Sequence, residues 1–160
     1  MSRLVLPKIK NTFIKYSEIK IYPEISSGFR LQFDGCSKGN PGISGAGAVI
    51  YNFDEEIWWD SLFVGENTTN NYAEYSGLIL GLKKAIELDI KEIIVEGDST
   101  LVIKQMKGDY KVYSENLQDL HREALKLCEN FDSIQFTHIY RINNKRADYL
   151  SNLAIQGYYK

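Results

Sequence analysis

The chain has 160 residues, of which 44% are hydrophobic and 25% charged, and its net charge of −2 is ordinary for a soluble globular domain. No apolar run is long enough to span a membrane, and the N-terminus lacks the hydrophobic segment of a signal peptide, which argues against a membrane or secreted protein. Cys36 and Cys128 lie far apart and form no CxxC pair, so we predict free thiols in an intracellular, cytoplasmic protein.

The charged residues are distributed unevenly along the chain. Residues 1–30 contain six Lys or Arg and two Glu, whereas residues 31–160 contain 13 basic and 19 acidic side chains. An acidic body does not suit nonspecific binding to nucleic acid unless metal ions mask the carboxylates. We therefore divide the chain into a basic N-terminal extension, residues 1–28, and one domain, residues 29–160.

The N-terminal extension contains one candidate strand, around Glu18–Tyr22, which Pro23 would end. Two interpretations of this extension are open. Its basic and tyrosine side chains would suit an arm that grips phosphates and stacks on bases. Alternatively, it is an extension that packs against the sheet of the domain or stays mobile.

The domain begins with a predicted strand at Phe29–Phe33, where apolar and polar side chains alternate. This strand ends on a carboxylate, Asp34, and the turn-rich segment Gly35–Gly42 follows, with three glycines, an Asn and a Pro. A carboxylate beside glycines, which let the backbone approach a ligand closely, suits a metal site. Two further antiparallel strands and the turn between them are predicted at Gly45–Tyr51, Ile57–Val64 and Asn52–Glu56.

A long helix is predicted over Asn70–Asp89, after a loop at Gly65–Thr69. Glu74 lies four residues before Leu78 on the apolar stripe of this helix, and such a position is costly for a carboxylate that nothing pairs with. The four-residue spacing of two glycines predicts that a neighbouring element approaches the helix closely. These glycines are Gly77 and Gly81.

The second half of the domain alternates helices with strands. The apolar strand Lys91–Glu96 is followed by Asp98, at the carboxyl end where open α/β sheets gather their ligands. Ser99 is a suitable N-cap for a short helix that ends at Met106. The remaining predicted elements are a linker at Gly108–Glu115, an amphipathic helix at Asn116–Phe131, a strand at Ser133–Tyr140, and a last helix that begins at Asn143–Asn144 and carries Asp148 near its first turn.

Four carboxylates lie at two strand ends, on an inward helix face and near a helix start in this prediction. They are Asp34, Asp98, Glu74 and Asp148. Each alone has an ordinary explanation, as a turn residue, a solvated helix charge, a cap or a first-turn acid. If they converge, their mutual repulsion would raise their pKa values, and divalent cations would relieve it. Oxygen ligands without His or Cys suit Mg²⁺ or Mn²⁺ rather than zinc. Two such ions about 4 Å apart can activate water and stabilise the leaving oxygen at a phosphodiester.

The same residues lie in motifs that resemble the type 1 ribonuclease H family, from Phe29 to about Gln156. The matching motifs are Asp34-Gly35-Cys36 with Gly39-Asn40-Pro41-Gly42, then Thr69-Asn70-Asn71 leading to Glu74, then Gly97-Asp98-Ser99, then Asn144 and Asp148 with Leu150 and Ala154. The resemblance implies an α/β fold with a five-stranded mixed sheet, three antiparallel strands and then two parallel ones, flanked by helices.

The resemblance also implies an activity, which is metal-dependent cleavage of the RNA strand of an RNA/DNA hybrid to 5′-phosphate and 3′-hydroxyl ends. Asp34 would bridge two Mg²⁺ ions, for which Mn²⁺ could substitute, and Glu74, Asp98 and Asp148 would complete the coordination. Ribose 2′-hydroxyls, which distinguish RNA from DNA, would meet backbone at Gly35 and Cys36 and the side chains of Asn40, Asn70 and Glu74. The DNA strand would lie near Thr69, Asn71 and Asn116.

Three departures from the family pattern affect this prediction. Many members place a His in the loop before the last helix, but here that loop, Arg141–Asn144, has none. His138 falls in the preceding strand, where a packed or hydrogen-bonded role is expected, and His121 is predicted to be solvated. The linker Gly108–Glu115 is too short for the basic, Trp-containing protrusion of some members. The N-terminal extension does not resemble the family's hybrid-binding domain. It could nevertheless bind the substrate in place of the absent protrusion.

Two other functions remain open at this stage. One is a non-catalytic nucleic-acid or protein-binding domain on the same scaffold, which usually lacks one of the carboxylates. The other is a junction resolvase or DNA exonuclease of the same superfamily, against which the set Asn40, Asn70 and Asn71 argues. We predict a monomer that binds an RNA/DNA hybrid and no membrane.

Overall fold

The structure, a computed structural model, describes residues 25–159, and the strand predicted around Glu18–Tyr22 lies outside them. In chain order the elements are β1 Phe29–Lys38, β2 Gly42–Asn52, β3 Glu55–Thr68, α1 Asn70–Glu87, β4 Glu92–Gly97, α2 Thr100–Met106, α3 Glu115–Cys128, β5 Ser133–His138 and α4 Lys145–Tyr158, with a 3₁₀ turn at Arg141–Asn143. The strands form one sheet in the order β3-β2-β1-β4-β5. The predicted five-stranded mixed sheet is confirmed.

The pairing of β1 with its two neighbours determines where the carboxylates lie. β1 is antiparallel to β2 and parallel to β4, and β4 is parallel to β5. Phe33 pairs with Gly97, and Gly97 pairs with His138, so the carboxyl ends of β4 and β5 lie beside the middle of β1 at one edge of the sheet. Asp34 and Asp98, each one residue further along, are therefore neighbours at that edge.

Helices cover both faces of the sheet. On one face, Leu31 and Phe33 of β1 pack with Tyr75, Leu78 and other apolar residues of α1 in the main hydrophobic core. On the other face α4 lies against β2, where a Cβ at Gly47 would come within 2.7 Å of the Ala147 carbonyl oxygen. This close approach lets α4 bring Asp148 to the same edge as Asp34.

Two strands are longer than their composition suggested. β1 continues through Lys38, and β3 continues through Thr68. The predicted turn at Gly35–Gly42 and the predicted loop at Gly65–Thr69 are therefore wrong in most of their length. Gly35 to Lys38 pair residue by residue with β2, from Ala46 to Ile43, and this pairing outweighs the local preference for a turn.

Gly77 and Gly81 lie where α1 crosses β1, as their spacing predicted. A Cβ at Gly77 would lie 2.6 Å from the carbonyl oxygen of Asp34, and one at Gly81 would lie 2.2 Å from the Leu31 side chain. Thr69 caps the same helix, because its Oγ1 accepts a hydrogen bond from Tyr72 N at 3.1 Å. The helix that carries Glu74 is thus held in contact with the strand that carries Asp34.

Replacing Gly77 with Ala is expected to lower the free energy of unfolding by about 1–3 kcal/mol, because the new methyl group must displace backbone. Gly157 is the matched control, since it is also helical but a Cβ there meets nothing within 4 Å. Gly157→Ala should raise the free energy of unfolding by up to about 1 kcal/mol. Urea denaturation of both variants measures the difference, and equal effects would contradict the close approach.

The described end of the N-terminal extension, residues 25–28, packs at the opposite end of the sheet from Asp34. Ile25 is buried against Ile94, and Ser27 Oγ donates to the Glu92 carbonyl oxygen at 2.7 Å. This supports the packing interpretation for these four residues alone. Within residues 25–159, no helix has the length and apolar character needed to cross a membrane.

Candidate active site

Three of the predicted carboxylates form a compact cluster where the carboxyl end of β4 lies beside β1. Asp34 comes from β1, Glu74 from the buried side of α1, and Asp98 from the residue after β4. One oxygen of each lies within 4.8 Å of the others. The cluster opens into a cavity of about 310 Å³, which is lined by Asp34, Gly35, Cys36, Asn70, Glu74, Asp98, Arg141 and Asp148.

Asp148 lies in the same cavity but outside the compact cluster. Its side chain is half-buried, and its Oδ1 accepts a hydrogen bond from Asn152 Nδ2 at 3.3 Å. The Arg141 Nη2 is 4.0 Å from the same oxygen. The structure thus brings all four predicted carboxylates to one cavity, with Asp148 at its more exposed side.

Burial and mutual repulsion make the carboxyl groups of Asp34 and Glu74, called here the inner pair, hard to ionise. Burial, followed by the charge of Asp98, raises the pKa of Asp34 to about 7, although the N–H of Gly35 donates to its Oδ1 at 2.9 Å. Burial and then the charge of Asp34 raise the pKa of Glu74 well above its usual value. Without a cation, both carboxyl groups therefore keep their protons to a higher pH than free carboxyl groups do.

Asp98 is in a more balanced environment than this inner pair. Burial raises its pKa, while the Asn144 amide and the positive charge of Arg141 act in the opposite direction. Asn144 itself is fully buried, and its Nδ2 donates to the Phe33 carbonyl oxygen at 2.9 Å. This bond joins the middle of β1 to the start of α4 beside the carboxylate cluster.

The carboxylate cluster fits divalent cations. Glu74 is only 8% exposed, yet its Oε2 is buried without a hydrogen-bond partner among residues 25–159. A buried carboxylate oxygen is costly unless something pairs with it, and two other carboxylates face it. Because the donors are carboxylate oxygens, the set suits a hard divalent cation such as Mg²⁺ or Mn²⁺.

Most of the predicted RNA-side residues line this cavity, and Asn40, which does not, contacts one of them. Gly35, Cys36 and Asn70 line it. Asn40 Oδ1 accepts from Asn70 N at 2.9 Å, and Asn70 Oδ1 accepts from Ser37 N at 2.7 Å. These two bonds orient both side chains, and the Nδ2 groups of Asn40 and Asn70 make no hydrogen bond to any residue in the part of the chain that the structure describes.

The predicted DNA-side residues are placed less uniformly. Thr69 serves as the N-cap of α1, and Asn71 lines a second cavity of about 630 Å³. Asn116 is exposed in the first turn of α3 and lines neither cavity. The residues that form the second cavity are Asn71, Leu101, Gln105, Asp109, Tyr110, Lys111, Tyr113, Ser114 and Leu117.

Comparison with known proteins identifies the family. Residues 32–154 match the family described as reverse transcriptase-like. The chain is also 35% identical over 135 residues to Ribonuclease HI of Halobacterium salinarum, and the match covers 84% of this chain and 68% of that protein. The chain belongs to the ribonuclease H family. The resemblance of its motifs to this family is thereby confirmed.

Other ribonuclease H relatives match over a similar range. The bifunctional protein Rv2228c of Mycobacterium tuberculosis is 40% identical over 128 residues, which are 79% of this chain but 35% of that protein, so this chain spans about a third of its length. The solved N-terminal RNase H domain of that protein has a TM-score of 0.78 at 38% identity, covering 82% of this chain and 96% of that one. LC11-RNase H1 was isolated from compost and solved in complex with an RNA/DNA hybrid. That structure has a TM-score of 0.77 at 33% identity, and the match covers 82% of this chain and 99% of that one.

Arg141 is a cavity residue that sequence reasoning about ribonuclease H missed. Its guanidinium lines the carboxylate cavity although its side chain is 82% exposed. In the sequence it stands three residues before Asn144, in the loop where many family members place a His. That cation was the available signal, because a positive charge near four carboxylates changes how the site meets a phosphate.

The predictions for the two histidines of this ribonuclease H chain have different outcomes. The His138 Nε2 lies 3.3 Å from the Asp98 carbonyl oxygen, which confirms a hydrogen-bonded role, but its side chain is exposed rather than packed. The prediction that His121 is solvated is wrong. Its Nε2 lies 3.2 Å from the Gln105 carbonyl oxygen, and burial lowers its pKa, because α3 turns this side chain toward α2.

Proposed function

We propose that this chain is an endonuclease that hydrolyses the RNA strand of RNA/DNA hybrids and leaves 5′-phosphate and 3′-hydroxyl ends. The observation that carries this proposal is the convergence of Asp34, Glu74 and Asp98 within 4.8 Å, with Asp148 lining the same cavity, in a ribonuclease H chain. The hybrid bound to LC11-RNase H1, a structural neighbour, supports the class of substrate.

Asp34, Glu74, Asp98 and Asp148 are proposed to hold two Mg²⁺ ions, which Mn²⁺ could replace. Asp34 would contribute to both ions, because its carboxyl group interacts with those of Glu74 and Asp98. When bound, such ions supply an activated water and stabilise the charge on the departing oxygen. Binding would also oppose the raised pKa of Glu74, because the ligand form of a carboxyl group is the ionised one.

Recognition of RNA is proposed to depend on the orientation of two asparagines. Because the Oδ1 atoms of Asn40 and Asn70 accept backbone N–H groups, their Nδ2 groups remain as donors beside the cavity. A ribose 2′-hydroxyl can accept from such donors, whereas DNA offers no oxygen there. The backbone at Gly35 and Cys36 would contribute on the same side of the cavity.

The second cavity is proposed to hold the DNA strand. Asn71 lines it, and Asn70, the preceding residue, lines the carboxylate cavity, so the first turn of α1 separates the two. A duplex that places one strand at the carboxylates would thus place its partner strand near Asn71 and Thr69. Asn116 stays a prediction as a contact to that strand, at the edge of α3.

Arg141 is proposed to hold a substrate phosphate at the mouth of the carboxylate cavity. Its replacement by Ala should lower kcat/KM on a hybrid by about tenfold, because a guanidinium can offset the repulsion between phosphate and carboxylates. Arg141→Lys should retain part of the activity, since it keeps the charge but loses the planar fork. Steady-state kinetics measures both variants, and an unchanged kcat/KM in Arg141→Ala would contradict this role.

Cleavage of matched substrates tests the proposed function. A labelled RNA would be offered paired with DNA, paired with RNA and unpaired, together with duplex DNA, in Mg²⁺, in Mn²⁺ and with a chelator. We expect cleavage of the RNA only in the hybrid and only with a divalent cation. Binding of the hybrid without cleavage in either metal would favour a non-catalytic domain, and cleavage of DNA would favour another nuclease of the superfamily.

We also propose that residues 29–160 form the catalytic unit and act as a monomer in the cytoplasm. One copy of the chain contributes all four carboxylates to the cavity, so no second copy is needed to complete it. Cys36 and Cys128 are unpaired, which suits a reducing compartment. Sedimentation of the protein with and without hybrid would test the monomer.

A further inference from the structure

One wall of the second cavity is the segment Tyr110–Ser114, called here the groove segment. Its Val112 side chain packs inward against the main core, whereas Lys111 and Tyr113 on either side point outward. Tyr113 is 83% exposed. The segment therefore presents a cation and aromatic rings to the cavity, which are the groups that contact a nucleic-acid strand.

Two glutamine side chains hold the backbone of the groove segment. Gln105 Nε2 donates to the Lys111 carbonyl oxygen at 3.3 Å. Gln118 Nε2 donates to the next two carbonyl oxygens, of Val112 at 2.9 Å and of Tyr113 at 3.4 Å. Because Gln105 belongs to α2 and Gln118 to α3, these amides fix the segment from two helices.

The amide of Gln105 has a defined orientation. Tyr75 is fully buried, and its hydroxyl donates to Gln105 Oε1 at 2.6 Å. The reversed amide would point an oxygen at the Lys111 carbonyl oxygen and lose that bond. Tyr75 follows Glu74 in α1, so a single side chain ties the helix of the carboxylate cluster to the groove segment.

Asn71, Gln105 and four residues of the groove segment line the same cavity. The positions of Gln105 and Gln118 therefore set how far the outward-pointing side chains stand from the first turn of α1. A segment held in this way needs no ordering when a strand enters, which lowers the entropic cost of binding.

We propose that Gln105 and Gln118 are positioning residues that fix the groove segment at the distance that the DNA strand of a hybrid requires. This inference rests on the proposed function. It predicts that loosening the segment weakens binding of the hybrid and leaves the chemical step alone, since neither glutamine lines the carboxylate cavity.

A pair of variants separates this role from a general contribution to stability. Gln105→Met and Tyr75→Phe both remove the bond between Tyr75 and Gln105, but only Gln105→Met also removes the bond to Lys111. In Gln105→Met we expect the backbone order parameters of residues 110–114 to fall from about 0.85 to below about 0.6, as measured by NMR relaxation. The KM for the hybrid should rise about fivefold, with kcat within about twofold.

Tyr75→Phe should keep the order parameters and the KM near those of the wild type. The double variant Tyr75→Phe with Gln105→Met removes the orphaned hydroxyl, so it should recover stability in urea while its groove segment stays loose. Order parameters do not depend on cleavage. They therefore test whether Gln105 holds the groove segment even in a protein that does not cleave hybrids. A groove segment that stays ordered in Gln105→Met, or one that loosens without any rise in KM, would overturn the inference.

Discussion

Replacing Asp98 with Asn is expected to lower the rate of RNA cleavage in a hybrid by about 10³-fold or more while the fold stays intact. The change is nearly isosteric, and Asp98 is half-buried after β4, so no cavity or clash results. What is lost is one negative charge from a cluster whose oxygens lie within 4.8 Å of one another. A cation that three carboxylates would hold is then held by two.

The measurement is single-turnover cleavage of a labelled hybrid in Mg²⁺, with circular dichroism to confirm the fold. The matched control is Asp119→Asn, which removes an exposed carboxylate on α3 that forms a salt bridge with Arg122 at 2.9 Å. That variant should cleave within about twofold of the wild type. A chelator should stop the wild type as completely as the substitution does. Retention of a large part of the activity in Asp98→Asn would refute its assignment as a ligand.

The position of Asp98 shows what local patterns in the sequence can establish. Alternation at Phe29–Phe33 and the apolar run Lys91–Glu96 indicate strands that end near Asp34 and Asp98. That those ends are adjacent depends on the register between β1 and β4, in which Phe33 pairs with Gly97. Register is a property of the whole sheet, so the residues near each carboxylate do not reveal it. The family motifs supplied the missing step, because they imply the order of the strands.

Features that depend on distant contacts were outside the reach of local patterns. Gly35 to Lys38 read as a turn, but pairing with β2 makes them a strand. His121 lies on an amphipathic helix, and its contact with the Gln105 carbonyl oxygen depends on how α3 packs against α2. Arg141 reaches the carboxylates only because the 3₁₀ turn follows β5 at the same edge of the sheet. In each case the deciding neighbour is far away in the sequence.

The stability of the cation-free protein should fall as the pH rises from about 4 to about 7, as far as this site is concerned. The pKa of Asp34 is raised from 3.8 to about 7 in the folded protein, mainly by burial and then by Asp98. Between these values the folded state binds the proton and the unfolded state does not, so raising the pH favours unfolding. Each unit of raised pKa corresponds to about 1.4 kcal/mol, and the loss should reach a few kcal/mol at pH 8.

Glu74→Gln provides the matched variant. It keeps the shape of the side chain and removes the buried carboxylate, whose Oε2 has no hydrogen-bond partner in the described part of the chain. At pH 8 without divalent cations, the free energy of unfolding of this variant should be about 1–3 kcal/mol higher than that of the wild type. At pH 5 the difference should shrink, because Glu74, whose pKa is raised by burial and by Asp34, is then protonated in the wild type. Urea denaturation at the two pH values measures both effects.

Divalent cations should reverse this order. Mg²⁺ or Mn²⁺ at 100 times its dissociation constant is expected to raise the free energy of unfolding of the wild type by about 2.7 kcal/mol, because only the folded protein assembles the carboxylates. The free energy of unfolding of Glu74→Gln should rise by less. NaCl at the same ionic strength should raise it in neither protein, which separates cation binding from charge screening. A wild type that is equally stable with and without divalent cations at pH 8 would mean that the carboxylates meet without forming a cation site.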